Sequence, residues 1–178
     1  MNIEPVRRVL DAMGASYALI GGHAMAARGY PRFTVAVDLL TTDQRVLGRE
    51  TWTSLESTGA LVERRRGDEE DPLAGVVHIL LADGSDIDIV VGRWTWEQDV
   101  IARAETLTLA GGMKIPVPLT SDLILLKLAA GGLLDVRDAA ALLEIGDRAS
   151  LVHEIESRID DVRPDIRGIW RALVSSSV

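Results

Sequence analysis

The sequence has no cysteine, which excludes disulfides and thiolate metal sites and suits a reducing compartment. It has no apolar run near the length of a membrane span, and no basic-then-apolar leader at its start. A cytoplasmic protein without a membrane partner is therefore expected. It has no excess of basic residues: the formal charge is -8 and the pI about 4.9, which argues against a dedicated nucleic-acid coat protein but leaves room for a local basic patch. It has no internal repeat, and His23, His78 and His153 lack metal-ligand spacing. His78, inside "GVVHILL", reads as a satisfied strand residue, and His23 as a neighbour of two glycines. What remains is 178 residues, 47% of them apolar, enough for one domain with a sizeable core.

Apolar residues at Ile3, Val6, Val9, Leu10 and Met13 mark one face of a helix that Gly14 stops. "SYALIGG" reads as a short buried strand running into Gly21 and Gly22, and "HAMAARGY" as an alanine-rich helix. "PRFTVAVDLLTT", residues 31–42, reads as a strand with Val35, Val37 and Leu39 on one face and Ala36, Asp38 and Leu40 on the other. "TDQRVLGRETWTSLEST" predicts a helix capped at Thr42 or Asp43. "GALVERRR" and "AGVVHILLADGSDIDIVVG" predict strands, the latter folded into a hairpin at "ADGS", with the charged run "RRRGDEEDP" as a loop. A short helix and one or two strands follow near "WTWEQDVIARAETLTLAGGMKIPVPLT", with at least one of Trp94 and Trp96 packed inside. From Ser121 onward the pattern is helical, ending in a frayed "VSSSV". The fold class is α/β (α+β): a mixed sheet flanked by helices over residues 1–118, with a helical C-terminal part over 119–178 packed on it.

Several residues in this plan carry chemistry. Gly21 and Gly22 at a strand-to-helix turn leave backbone N–H groups open to phosphate oxygens, although many such turns use Gly-Gly for conformation alone. Carboxylates at i and i+2 of a strand share a face and repel unless a cation lies between them, which suits Mg²⁺. Asp86 and Asp88 form such a pair; Asp38 has Ala36 where a second carboxylate would stand. Read alone, Asp86 belongs to the hairpin turn and Asp38 to a strand end. Lys127 lies in a helix apolar almost all round, so its charge either snorkels to solvent or meets a buried partner. Asp135 and Asp138 read as residues that cap and solvate the next helix. Arg64, Arg65 and Arg66, flanked by "GDEED", read as solvated more readily than as an RNA contact.

Taken together, "YALIGGHAMAARGYPRFTVAVDLLTT", "DIDIVVG" and "SDLILLKLAAGGLLDVRDAAALLE" resemble the nucleotidyltransferase superfamily related to DNA polymerase β, in its AbiEii-like and MenT-like toxin branch. The resemblance spans roughly residues 15 to 145. It puts Gly21, Gly22, Gly29, Arg32, Thr34 and Asp38 on motif positions, Ala36 on the first aspartate, and Asp88 on the third carboxylate. It implies a Mg²⁺-dependent enzyme that moves a nucleoside monophosphate from an NTP to an acceptor hydroxyl, with two Mg²⁺ ions held by three carboxylates. In that scheme Asp38 bridges the metals, Asp88 binds the acceptor-side metal and can take the proton, and Lys127 offsets phosphate charge. Gly21 and Gly22 hold the β and γ phosphates, while Arg32 and Thr34 orient the loop or touch phosphate. The toxin branch implies a tRNA 3′ end as acceptor and a cognate antitoxin protein as partner. An antibiotic nucleotidyltransferase and a non-catalytic nucleotide-binding pseudoenzyme are the alternatives.

Ala36 departs from the pattern, because a methyl group cannot ligate a cation. Three accounts compete: an inactivating substitution introduced into an intact site, a natural loss, or replacement by Asp86. The unbroken register around position 36 favours the first.

Overall fold

The computed structural model of the chain describes residues 2–175. Strands β1 (Tyr17–Ile20), β2 (Val37–Thr41), β3 (Leu61–Arg66), β4 (Leu73–Leu80) and β5 (Asp86–Gly92) form one sheet in the order β1-β2-β5-β4-β3. Only β2 and β5 run parallel; the other pairs are antiparallel. A second, two-stranded sheet joins β6 (Glu105–Thr108) to β7 (Lys114–Val117). The helices are α1 (Glu4–Ala12), α2 (Gly21–Ala27), α3 (Thr53–Glu56), α4 (Thr95–Arg103), α5 (Thr120–Ala130), α6 (Leu133–Ile145), α7 (Arg148–Glu156) and α8 (Pro164–Ser175).

Alternation along β2 and β5 divides the sheet chemically. Val37, Leu39, Ile87 and Ile89 point to one face and are buried with Leu19, Val77 and Ile79. Helix α1 belongs to this face, where Tyr17 Oη accepts from Arg7 Nε at 3.0 Å and donates to Asp11 at 3.1 Å. The opposite face bears Asp38, Asp86, Asp88 and His78. Toward the C-terminal ends of β2 and β5 this second face is apolar: Ile20, Leu40 and Val90 line a cleft with Trp96 of α4 and Leu126 of α5. The carboxylates thus lie beside this apolar cleft, toward the N-terminal ends of β2 and β5.

Two expected elements differ. The strand expected over 31–42 is confined to Val37–Thr41, because β1 is four residues long and β5 begins at Asp86, so residues 31–36 have no ladder to join. The helix expected from Thr42 to Thr58 is broken into 3₁₀ turns at Gln44–Leu47 and Glu50–Trp52 followed by α3. Gly48 is extended at the break, and buried Trp52 folds back to donate from Nε1 to the Val46 carbonyl at 2.7 Å. The Asp43 cap is present, its side chain accepting from the Arg45 N–H. Arg64, Arg65 and Arg66 lie in β3, which leaves residues 67–72 as the loop. Of the expected frayed end, α8 extends through Ser175 and residues 176–178 lie outside the described residues. Trp96 is buried, and the more exposed Trp94 donates its indole N–H to the Pro72 carbonyl. No helix among the described residues is long and apolar enough to cross a membrane.

Candidate active site

Register places the acidic residues side by side. Asp38 and Asp88 are direct partners across the parallel β2/β5 pair, and His78 is the partner of Asp88 on β4. The row continues to Ile20 on one edge and Glu63 on the other. Asp86, two residues before Asp88, shares its face. Extending the β2/β5 register backward sets Ala36 opposite Asp86, one residue before the ladder begins.

Gly21 closes the site from the β1 side. Its φ is +64°, and a Cβ built there would overlap Asp38 Oδ2 and lie 2.7 Å from Asp38 Cγ. Only glycine lets this backbone approach the carboxylate. A Cβ on Gly22 would lie 2.8 Å from Thr34 Cγ2, so the segment 31–36 packs on the second glycine in the same way. Thr34 Oγ1 donates to the Ala36 carbonyl at 3.1 Å, which braces the bend leading into β2. Helix α2 spans seven residues, and no side chain caps its first turn. At its other end Arg28 donates to the carbonyls of Val117 and Pro118 and pairs with Glu105, fixing α2 to the β6/β7 hairpin.

Opposite the glycines stands Lys127 of α5. A cavity of about 210 Å³ is lined by Ile20, Gly21, Asp38, Leu123, Leu126, Lys127, Ala130 and Asp135. Lys127 meets partners instead of snorkelling: Nζ is 2.8 Å from Asp135 Oδ1 and 3.0 Å from Asp138 Oδ2. Asp138 also pairs with Arg32, from the segment after α2. Asp135 and Asp138 therefore do more than cap and solvate α6. They hold Lys127, which lines the cavity, and Asp138 also holds Arg32 and is itself buried.

Burial, then the neighbouring Asp88 charge, pushes the Asp38 carboxyl up to about 6, with Lys127 and Arg32 acting in the opposite direction. The hydrogen bond to Asp88 raises the His78 imidazole above its ordinary value, assisted by the charges of Asp86 and Glu63. Burial lowers the half-buried His23.

A group whose native pKa lies above its unfolded one binds more protons in the native state, so stability falls as pH rises from about 4 through 6. Asp38→Asn removes that penalty. It raises the metal-free melting temperature at pH 7 by about 2–6 °C, corresponding to about 1–2 kcal/mol after allowing for partial exposure. The gain disappears at pH 4; an equal gain at both pH values, in parallel thermal melts, contradicts this origin.

His78 is the satisfied strand residue expected, and its partners are the site carboxylates: its Nδ1 lies 2.9 Å from Asp88 Oδ1 and 3.4 Å from Asp86 Oδ1, a grouping that ligand spacing along the chain does not mark. The "ADGS" turn held the signal, since a hairpin centred there pairs residue 80 with 86 and 78 with 88. Arg64 and Arg66 point to the other face of the sheet, Arg64 pairing with Glu56 and Arg66 donating to the Leu47 carbonyl.

The donor set tests the expected Mg²⁺ directly. Asp38, Asp88 and Asp86 offer carboxylate oxygens on one face, as a hard divalent cation requires, but position 36 offers none and an imidazole occupies the flank. Among the described residues the ligand atoms that come within 4.8 Å of one another belong to His78, Asp86 and Asp88, without Asp38, so the fit to an all-oxygen pair of Mg²⁺ sites is incomplete.

No family model matches the chain, and no curated protein matches it in sequence. Solved structures do. The chain is similar to the antibiotic-resistance factor ANT(2″)-Ia in its solution structure, with a TM-score of 0.55 and 15% identity over 98% of this chain and 91% of that one. It is also similar to ANT(2″)-Ia in complex with adenylyl-2″-tobramycin, with a TM-score of 0.52 and 16% identity over 88% of this chain and 96% of the other. The lincomycin-bound lincosamide antibiotic adenylyltransferase LnuA gives 0.49 and 13% over 80% and 94%. At these identities the ANT(2″)-Ia likeness is one of fold: a mixed sheet flanked by helices, the nucleotidyltransferase fold.

Proposed function

We propose that this protein is a metal-dependent nucleotidyltransferase that moves a nucleoside monophosphate from an NTP to an acceptor hydroxyl. The observation that carries the reading is the cross-strand pair Asp38 and Asp88, set against Gly21 on one side and a cavity containing Lys127 on the other. N–H groups at Gly21 and Gly22, which no side chain caps, receive the β and γ phosphates. Lys127 and Arg32 offset phosphate charge by exchanging part of their pairing with Asp135 and Asp138 for triphosphate oxygens. Asp88 accepts the proton of the acceptor hydroxyl, while Thr34 keeps the segment into β2 in place.

Asp38 and Asp88 would hold the cation, Mg²⁺ by the family resemblance, which when bound neutralises the triphosphate and acidifies the attacking hydroxyl. Ala36 leaves the oxygen set short, so transfer by this chain is impaired. The toxin-branch resemblance supports a tRNA 3′ end as acceptor and an antitoxin as protein partner. A second acceptor, a cationic small molecule, is favoured by charge: Glu63, Asp86, Asp88 and Asp38 share the open face with one β3 arginine, Arg65, while Arg64 and Arg66 lie on the other. ANT(2″)-Ia, whose complex holds adenylyl-2″-tobramycin, supports that choice by likeness of fold.

The test is transfer from each labelled NTP, with Mg²⁺, to total tRNA and to an aminoglycoside. Transfer to one acceptor, reduced about 100-fold or more by Asp88→Asn, is the expected result. NTP binding without transfer by either this chain or Ala36→Asp defeats the enzymatic reading.

A further inference from the structure

We infer that His78, Asp86 and Asp88 form a second seat, for a divalent transition-metal ion that accepts imidazole nitrogen, beside the Asp38–Asp88 cation position and sharing Asp88 with it. This goes beyond the transfer reaction and does not depend on it, since the seat is defined without nucleotide.

One ligand atom from each of the three residues lies within 4.8 Å of the other two. The separations from His78 Nδ1, 2.9 Å to Asp88 and 3.4 Å to Asp86, are those of donors around one ion. Metal–ligand bonds of about 2.1 Å put neighbouring donors about 3.0 Å apart in an octahedron and about 3.4 Å apart in a tetrahedron. A proton on Nδ1 explains the 2.9 Å contact equally well, as a hydrogen bond to Asp88. It does not serve Asp86, whose Oδ1 is closed to solvent and accepts no hydrogen bond. A metal ion in place of that proton satisfies all three groups.

The surroundings support the same assignment. The ligands sit on two strands of one hairpin, whose register holds His78 opposite Asp88 and Leu80 opposite Asp86. Glu63 is the cross-strand partner of His78 in β3 and adds negative charge on its far side. Mg²⁺ demands oxygen ligands in near-ideal octahedral geometry, whereas imidazole suits later first-row ions.

Mn²⁺ titrated into the nucleotide-free full chain, read by pulsed electron paramagnetic resonance, tests the seat. One ion per chain with a directly coordinated ¹⁴N signal is expected. His78→Gln removes that signal and weakens binding by about 10-fold or more, while Asp38→Asn keeps the signal. The His78 side chain is 42% exposed, so its replacement leaves the fold intact, which the melting curve of the metal-free variant checks. Mn²⁺ bound without ¹⁴N coupling, equal binding by His78→Gln, loss of the signal in Asp38→Asn, or no binding at all overturns the assignment.

Discussion

Ala36→Asp raises Mg²⁺-supported nucleotide transfer by about 100-fold or more, the scale on which one preorganised charged group acts in a water-poor site. Position 36 directly precedes β2, where the extended register brings it to Asp86 while Asp38 meets Asp88. A carboxylate there joins Asp38 and Asp88 as a third oxygen ligand and completes a set that suits Mg²⁺. The same change adds like charge beside Asp38, already pushed up to about 6 by burial and by Asp88. Without metal the variant is therefore less stable, by about 1 kcal/mol, and Mg²⁺ raises its melting temperature more than that of the unchanged chain. Transfer assays and melts with and without Mg²⁺ report both effects. A gain below about 3-fold in transfer, with no added Mg²⁺ stabilisation, means that Asp86 already fills the place and that Ala36 is no defect.

Legibility followed the range of the interactions. "DIDIVV" alternates so strictly that its carboxylate face and its core face follow from period two alone, and β5 has that form. The His78–Asp88 pair is equally local, encoded in the position of the "ADGS" turn, although it has none of the regular spacing that marks ligands along a chain. Residues 31–36 look like strand because Phe33 and Val35 alternate with polar neighbours; both side chains are in fact exposed, and no strand lies beside them. The broken helix after Thr42 follows from Trp52, whose burial and bond to Val46 outweigh local propensity. Arg32 and Asp138 are 106 residues apart, and nothing in either local pattern marks the partnership. Lys127 announced only that it needed a partner; packing of α5 on α6 supplied Asp135 and Asp138.

Gly21→Ala is the substitution expected to damage both fold and site most. Two costs arise together. The backbone at φ +64° is strained for any residue with a Cβ, by about 1 kcal/mol, and the added methyl overlaps the Asp38 carboxylate. Asp38 is fixed in an interior strand, paired on both sides, so either its side chain turns away from the site or β1 and α2 shift outward. The total loss is about 2–4 kcal/mol, or about 10 °C in melting temperature, and transfer falls by about 100-fold or more even in protein that remains folded. Asp38→Ala separates the two costs: in that background the carboxylate is gone, and Gly21→Ala costs only the backbone part, about 1 kcal/mol. Melting the four proteins of this cycle measures the overlap as the non-additive remainder. A remainder near zero means that Gly21 serves the turn alone, and the close approach of the phosphate-side backbone to Asp38 then has no part in the site.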